Sequence, residues 1–339
     1  MEKLSTKHNY LIKLLGYCSI GIGFVGMLFV VGTLLFTFIQ SFFITDTQGV
    51  ALVLPGQIPG IGFLSFWHWI LAIFILATIH EFSHGVVARA HKIKVKSSGI
   101  FFFGPLFGAF VEPDEKKLSK KKDFVQYSML TAGPVSNIIT SFIFLAIGIL
   151  IFAPIGSGML EPSGIMIQDL DNQSFAYEKG LRPGMLITSV NGYDQNNQAD
   201  MLQELKCKRS CDTGNLRLIA NNTPYEIAPM LGYDENKNTT IDKFGFKLLT
   251  VETKKKENVS NFAYVVVFWL LDLFKWLYIL SFGIGLMNLV PIFPFDGGRM
   301  SLTMFKEFFR DEKKALKVNN IISIIFVIIL VILISNSLF

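Results

Sequence analysis

The stretch WILAIFILATIHEFSHGVVA, from Trp69 to Ala88, is long and apolar enough to cross a lipid bilayer as a single helix. Only Thr78 and the pentad His80–His84 interrupt its apolar character. A charged side chain at the centre of a membrane costs at least about 2.5–3.5 kcal/mol on insertion scales. Because of this cost, an ionisable cluster in such a position is expected to have a chemical task.

The spacing within the pentad indicates what that task is. His80 and His84 are one helical turn apart, so both imidazoles lie on one helix face and can bind the same metal ion, with Glu81 beside them. This is the spacing of zinc peptidases. A catalytic zinc ion takes three protein ligands and keeps one position open for water, so a third ligand is expected elsewhere in the chain.

The composition is that of an integral membrane protein with one soluble insert. Of the 339 residues, 51% are hydrophobic and only 17% are charged, against about 25% charged residues in typical globular proteins. The net charge of +5 is modest and unevenly distributed, which argues against nucleic-acid binding and for a role in membrane topology. The first apolar run exceeds the roughly 7–15-residue core of a signal peptide and is expected to remain as a span.

Five apolar stretches have about the 20 residues that a transmembrane helix needs. They cover residues 14–44, 66–90, 128–154, 261–290 and 319–339. The sequence therefore predicts a polytopic α-helical membrane protein with about five spans.

Lysine and arginine concentrate in three segments that five spans would place on one side of the membrane. These are the N-terminus, the loop 91–127 and the loop 299–317, whereas residues 45–65 carry no basic side chain. The positive-inside rule makes that side the cytoplasm. The N-terminus is then cytoplasmic, and the C-terminus and the polar residues 155–257 are extracytoplasmic.

Residues 155–257 are the one polar stretch long enough for a folded domain, and they alternate as strands do. Within them, SFAYEKGLRPGMLITSVNG (residues 174–192) resembles the PDZ domains of bacterial and membrane proteases, although Met185 stands where those domains usually have Asp. The pattern predicts a short helix that ends at Gly180, a tight turn at Pro183-Gly184, a buried strand and an Asn-Gly hairpin turn.

The resemblance implies a β-rich PDZ-like domain whose second helix is Ala199 to Leu205. Such domains add a peptide or protein tail to a sheet edge, so a regulatory or substrate-filtering role is expected. A spacer domain with a degenerate groove is the alternative. Cys207 and Cys211 in this domain could form a disulfide on an oxidising side or remain as free thiols, and Cys18, in the first span, is expected in the core.

The expected third metal ligand is Asp296, in the segment NLVPIFPFDGG (residues 288–298). Two prolines break the end of the fourth span there, and irregular backbone at membrane depth is tolerated where it lines a protein cavity. The pentad His80–His84 and the segment 288–298 lie at the predicted cytoplasmic ends of two spans that cross the membrane in the same direction. His80, His84 and Asp296 can therefore share one depth in the membrane.

H-E-x-x-H in one span and N-x-x-P-x-x-P-x-D-G-G in a later one together resemble the site-2 protease family of intramembrane metalloproteases. TAGPVSN (residues 131–137) matches the A-G-P-x-x-N segment of that family, and FGPLFGAFV (residues 103–111) resembles its membrane-associated β-hairpin. The similarity covers residues 66–310, and the first span is additional to the four-span forms.

The resemblance implies a zinc-dependent intramembrane endopeptidase that carries out regulated intramembrane proteolysis of single-span proteins in the lipid membrane. One Zn²⁺ per chain would be bound by His80, His84 and Asp296, and Glu81 would be the general base. Asn288 would hold the substrate backbone. The hairpin 99–112 would present a strand edge to the unwound substrate, with substrate contacts at Gly108, Ala109 and Phe110.

Three other interpretations fit parts of the sequence. A different membrane zinc protease would take Glu112 or Glu307 as its third ligand. A PDZ-bearing scaffold or pseudoprotease would lack catalysis, and a metal transporter would need more polar residues in its spans. The segment Gly21–Gly26 matches a nucleotide-binding pattern but lies inside a span, which favours helix packing.

The predicted organisation has five parts. Residues 1–65 form an extra N-terminal span and outer loop, 66–154 and 258–310 the two halves of a catalytic membrane core, 155–257 the PDZ-like domain, and 311–339 a C-terminal span.

Overall fold

The structure is a computed structural model that describes residues 1–43, 53–58, 60–103, 106–206, 215–228 and 244–338. The chain forms two compact units, which are described separately below. A membrane unit comprises residues 1–152 and 269–339, and an insert unit comprises residues 153–268. Cys207 and Cys211 lie outside the described residues, so their pairing stays a prediction.

Helices and short antiparallel sheets make up both units. The helices are α1 (Glu2–Lys7), α2 (Asn9–Gln40), α3 (Phe66–Ala90), α4 (Glu115–Leu118), α5 (Asp123–Ile147), α6 (Ala153–Gly158), α7 (Phe175–Glu178), α8 (Gln198–Leu205), α9 (Asn261–Met287), α10 (Asp296–Phe309) and α11 (Glu312–Leu338). The strands are β1 (Gly56–Ile58), β2 (Gly62–Leu64), β3 (Val95–Phe103), β4 (Leu106–Pro113), β5 (Leu160–Leu170), β6 (Leu186–Val190), β7 (Tyr193–Asp194), β8 (Leu216–Ala220), β9 (Thr223–Ile227) and β10 (Phe246–Lys255).

Five helices of the described residues are long and apolar enough to cross a membrane, which confirms the predicted number. They are Asn9–Gln40, Phe66–Ala90, Asp123–Gly158, Asn261–Met287 and Glu312–Asn336. The third continues from α5 through a π-helical turn, Gly148–Phe152, into α6. The chain is thus a helical, multi-pass membrane protein with a β-sheet region.

The predicted first span, α2, packs closely on the rest of the membrane unit. A Cβ atom added to Gly23 would lie 2.4 Å from the side chain of Thr131, and one added to Gly26 would lie 2.7 Å from Leu289. Both glycines therefore allow close helix packing, as predicted, whereas a Cβ at Gly21 would meet no atom within 4 Å. The expectation that Cys18 lies in the core is wrong, because its side chain is exposed on the outer face of α2.

The loop between α3 and α5 folds into the predicted β-hairpin. β3 and β4 pair antiparallel, with Gly99 opposite Phe110 and Ile100 opposite Ala109. Within the described residues these two strands form a sheet of their own, so each has an edge without a strand partner. The edge of β4 becomes important at the metal centre.

The insert unit contains a six-stranded antiparallel sheet in the order β10-β5-β6-β8-β9, with β7 paired to β6. Its core is formed by apolar side chains of these strands, of α8, and of Phe244 and Phe246. The local features predicted for residues 174–192 are present: Gly180 and Gly184 have positive φ, and Asn191-Gly192 makes the turn from β6 to β7. The helix α8 begins at Gln198, whose Nε2 donates to the carbonyl of Glu252 on β10 at 2.7 Å.

Candidate metal centre

The two histidines of the pentad lie together on one face of α3. Their Nε2 atoms are 3.1 Å apart, and both side chains are buried. The helix begins after Ser65, whose hydroxyl caps it by accepting from the amide of His68 at 3.2 Å. With 25 residues at 1.5 Å each, α3 is about 38 Å long, enough to cross the bilayer with the pentad in its second half.

Asp296 completes a group of three buried donors. Its Oδ2 lies 3.1 Å from Nε2 of His80 and 3.2 Å from Nε2 of His84. Among the described residues, these three make up the one group of His, Cys, Asp or Glu side chains that could hold a metal ion. The structure therefore brings together the three residues that the sequence nominated as ligands.

The irregular segment after α9 explains how Asp296 reaches this position. The helix ends at Met287, before the two prolines, and α10 starts at Asp296, so the carboxylate lies in a first helical turn, where negative charge is favoured. The amide of Gly297 donates to the carbonyl of Asn288 at 2.7 Å and closes the loop. A Cβ at Gly297 would lie 2.2 Å from the carbonyl oxygen of Leu289, so only glycine fits there.

Space for the imidazoles is provided by Gly133 on α5. A Cβ atom at this position would lie 2.3 Å from Nε2 of His84 and 2.7 Å from Nε2 of His80. Real Cβ atoms do not approach heavy atoms this closely, so any larger residue would push the ring nitrogens away from their present positions. Gly133 is therefore a spatial requirement of the donor cluster.

The outer ring nitrogens of both histidines face α5. Nδ1 of His84 lies 2.7 Å from the carbonyl oxygen of Met129 and donates to it. This bond leaves Nε2 of His84 with a free lone pair for a metal ion. Nδ1 of His80 lies 3.5 Å from the side-chain amide of Asn137, which is fully buried.

Glu81 lies beside the cluster and contacts the β-hairpin. Its Oε2 accepts a hydrogen bond from the backbone amide of Val111 on β4 at 3.1 Å. Backbone groups of alternate strand residues point to the same side, so the amide and carbonyl of Ala109 share this edge. The carboxylate of Glu81 is thus held by an edge of β4 that pairs with no strand in the described part of the chain.

A cavity of about 320 Å³ opens onto the donors, and Glu81, Asn288 and Arg299 also line it. On the hairpin side its lining consists of Val111, Glu112 and Pro113, which follow the predicted substrate contacts Gly108, Ala109 and Phe110 along β4. The side chain of Asn288, the residue after α9, donates to the carbonyl of Ile284 in that helix at 3.1 Å.

The electrostatics of the cluster keep Asp296 ionised. Burial by itself raises the pKa of this carboxyl group, but the adjacent His84 and His80 outweigh burial and hold the pKa well below its usual range. An ionised carboxylate is the form that binds a metal ion.

The arrangement fits zinc. Two ligands at about 2.0–2.1 Å from a tetrahedral zinc ion lie about 3.3 Å apart, close to the donor separations of 3.1–3.2 Å. Three protein donors would leave one position of a zinc ion for water. The alternative ligands are not part of the cluster: Glu112 lines the cavity, and Glu307 is exposed on α10.

Two further histidines have partners outside the donor cluster. His68 bonds to Ser65 and to the carbonyl of Trp269, and His91 lies 3.3 Å from the hydroxyl of Ser128. Sequence reasoning missed the contacts of Met129 and Val111, because backbone contacts leave no trace in residue type. Gly133 is marked by the resemblance of residues 131–137 to the A-G-P-x-x-N segment, but its contact with both imidazoles was not predicted.

One family model and several individual proteins match this chain. Residues 68–333 match Peptidase family M50. An uncharacterized protein of Methanocaldococcus jannaschii is 28% identical over 249 residues, which cover 72% of this chain and 58% of that protein. The regulator of sigma-W protease RasP of Bacillus subtilis is 25% identical over 241 residues, 60% of this chain and 55% of RasP.

A Staphylococcus aureus protein provisionally named a zinc metalloprotease is 23% identical over 306 residues, 75% of this chain and 69% of that protein. The chain thus spans less than two thirds of the length of the first two relatives. The family match and the three donors together assign Zn²⁺ to the centre, and the chain belongs to peptidase family M50.

Proposed function

We propose that this protein is a zinc-dependent endopeptidase that hydrolyses peptide bonds within or near the transmembrane segment of single-span membrane proteins. One observation carries the proposal: two of the three buried donors of the metal centre, His80 and His84, lie in a membrane-spanning helix, with Glu81 beside them. Hydrolysis at this depth needs an activated water, and the cavity of about 320 Å³ beside the donors has room for water and a peptide backbone.

The chain's own residues have distinct roles in this proposal. Bound Zn²⁺ would polarise the scissile carbonyl and lower the pKa of a water molecule. Glu81 takes the proton from the attacking water and then donates it to the leaving amide nitrogen. The hydrogen bond from Val111 fixes one oxygen of this carboxylate, Oε2, and leaves the other to act as the base.

Substrate would enter as an extended strand, because an intact helix hides its amides from attack. The edge of β4 offers the backbone groups of Ala109 and the carbonyl of Val111, next to the Val111 amide that binds Glu81. Gly108 and Phe110 would support this edge from within the hairpin, and Asn288 would contact the substrate from the opposite side of the cavity. Strand addition at this edge sets the substrate backbone beside the metal centre.

The proposed orientation follows from the distribution of basic residues. The N-terminus and the loops 91–127 and 299–317 would face the cytoplasm, and residues 155–257 and the C-terminus the outside. Impermeant maleimide applied to intact cells tests this in a cysteine-free background. A cysteine at Glu178 should be labelled and one at Lys121 should not; the reverse pattern would invert the topology.

We propose that residues 155–257 form a PDZ-like domain that binds a peptide or protein tail between β10 and α8. The support is that β10 lies at the edge of its sheet and that Gln198 of α8 is bonded to it. Leu248 on β10 is exposed and available for such a contact. Fluorescence anisotropy with a labelled peptide panel and the full chain in nanodiscs should show binding that Leu248→Arg weakens and Ile219→Arg, on β8, does not. Equal binding by the wild type and both variants would contradict the proposed binding site between β10 and α8.

The protease activity is tested with purified protein in liposomes that contain a panel of single-span substrates. The wild type should cleave at least one of them, lose activity to a zinc chelator and regain it with zinc. Glu81→Gln should abolish cleavage while its zinc content stays at the wild-type level, because the glutamine cannot accept the proton.

Glu307→Gln is the matched control, since it makes the same chemical change on the exposed face of α10. It should cleave as the wild type does. Cleavage by Glu81→Gln at the wild-type rate would show that Glu81 is not the general base. Zinc binding without cleavage of any substrate would favour a metal-bearing scaffold over the protease.

A further inference from the structure

We propose that Asn137 is a positioning residue for the metal centre: its side-chain carbonyl accepts a hydrogen bond from Nδ1 of His80 and holds the imidazole with Nε2 directed to zinc. Of the proposed function, this inference requires only that the donor cluster binds zinc. It assigns a task to a residue that touches neither water nor substrate.

The first observation is an unpaired atom. Asn137 has no exposed surface, and its Oδ1 is one of two buried side-chain polar atoms of the described residues without a hydrogen-bond partner. A buried acceptor without a partner destabilises the fold, because it has given up its hydrogen bonds to water. Such a residue in the middle of an apolar span needs an explanation.

The second observation is its neighbour. The other end of the same amide, Nδ2, lies 3.5 Å from Nδ1 of His80, at the long limit for a hydrogen bond. A neutral imidazole that binds a metal through Nε2 carries its proton on Nδ1. Nδ1 is then a donor and requires an acceptor, which Nδ2 cannot be.

Rotation of the amide group by half a turn resolves this conflict. The two ends of an asparagine amide have nearly the same shape and are assigned from their hydrogen bonds. After the rotation Oδ1 faces the proton on Nδ1 of His80, and Nδ2 takes the place that Oδ1 had. Zinc binding at Nε2 and the orientation of the Asn137 amide are therefore coupled.

The geometry of α5 supports the same conclusion. Met129, Gly133 and Asn137 are spaced by four residues and so lie along one face of the helix. The carbonyl of Met129 holds Nδ1 of His84, Gly133 leaves room for both Nε2 atoms, and Asn137 lies against Nδ1 of His80. One helix face thus orients both imidazoles, although α5 contributes no metal ligand.

The backbone of Asn137 has a separate role that a side-chain substitution would preserve. Its carbonyl accepts from the hydroxyl of Ser281 on α9 at 2.8 Å. Helix packing between α5 and α9 therefore does not depend on the asparagine side chain at this contact.

The test measures zinc affinity in the full-length protein in detergent, without substrate, by competition with a chromophoric chelator. Asn137→Leu, which removes the acceptor at similar size, should bind zinc about 10–100-fold more weakly. Asn137→Asp restores an acceptor and should bind more tightly than Asn137→Leu. Ser141→Ala, a buried position one turn further along α5 whose hydroxyl bonds to Ile138, should match the wild type.

Cobalt substitution gives a second readout, because its visible absorption reports the geometry of the donors. Asn137→Leu should shift these bands, and Ser141→Ala should not. If Asn137→Leu does not fold, Asn137→Ser replaces it, since its short hydroxyl cannot reach Nδ1. Equal zinc affinity and equal cobalt spectra in the wild type and in the variant without the acceptor would overturn the proposal.

Failure of the proposed protease function would leave these measurements unaffected, because they follow the metal and not cleavage. Conversely, an active protease whose zinc affinity is insensitive to Asn137 would refute this inference alone.

Discussion

Two pairs of membrane helices use their buried polar side chains in different ways. In the site helices, α3 and α5, polar groups converge on the metal centre: His80 and His84 supply donors, and Met129 and Asn137 face their outer nitrogens. In the flanking helices, α2 and α11, buried hydroxyls contact other helices or loops at a distance from the donors. Ser19 on α2 is an example, 2.7 Å from the hydroxyl of Thr131.

The second flanking helix holds the loop that delivers Asp296. The hydroxyl of Ser323 on α11 accepts from the amide of Phe293 at 3.1 Å and donates to the carbonyl of Pro291. The two pairs of helices therefore differ in how directly their polar groups contact the metal ligands. Substitutions should lose effect in that order, from a ligand, to the space around the ligands, to the loop, and finally to helix packing.

Loss of a ligand should have the largest effect. Asp296→Ala removes one of three donors, so zinc content and cleavage should both fall to background, as measured by atomic absorption and by the liposome assay. Glu112→Gln tests the alternative ligand in the same cavity. Normal zinc content in Asp296→Ala together with loss of zinc in Glu112→Gln would show that Glu112, and not Asp296, is the third ligand.

Loss of space should come next. Gly133→Ala places a methyl group 2.3 Å from Nε2 of His84, so the imidazoles or α5 must move and zinc affinity should fall strongly. Gly283→Ala is the matched control, because that helical glycine has no atom within 4 Å of an added Cβ. Its zinc affinity and thermal unfolding should equal those of the wild type, and full zinc binding by Gly133→Ala would show that the site adapts.

Side-chain chemistry made much of the site predictable from sequence. Paired histidines are rare in apolar spans, a carboxylate between Pro and Gly breaks is a recognisable partner for them, and the structure places the three together as a possible metal site. The number of spans followed from hydropathy, since backbone polar groups must be satisfied within each helix in lipid.

Contacts that depend on three-dimensional packing could not be predicted. The carbonyl of Met129 and the amide of Val111 exist at every residue, so only the fold shows which ones meet His84 and Glu81. The exposed position of Cys18 depends in the same way on which face of α2 packs inward, and an apolar helix with little amphipathicity does not specify that face.

Loss of the loop contact should have a smaller effect than loss of space. Ser323→Ala leaves the amide of Phe293 without its partner, which should cost about 1 kcal/mol. We expect lower thermal stability and a modest loss of zinc affinity, because Asp296 comes only three residues after Phe293 in the chain. Ser335→Ala, at an exposed position of the same helix, is the control and should change neither quantity. A stability loss without any change in zinc affinity would show that this loop contact does not influence zinc binding.

Loss of the contact between α2 and α5 should have the smallest effect. Ser19 and Thr131 share one hydrogen bond, and each hydroxyl also has a backbone carbonyl in its own helix, Gly16 or Tyr127, within 2.9 Å. Interhelical hydrogen bonds in membranes contribute about 0.6 kcal/mol on average. A double-mutant cycle with Ser19→Ala and Thr131→Val, followed by reversible unfolding in mixed micelles, should give a coupling energy of that size with unchanged zinc affinity. Because α2 lies outside the residues that match the family, a coupling that also weakened zinc binding would show that this added helix helps to hold α5 against the histidines.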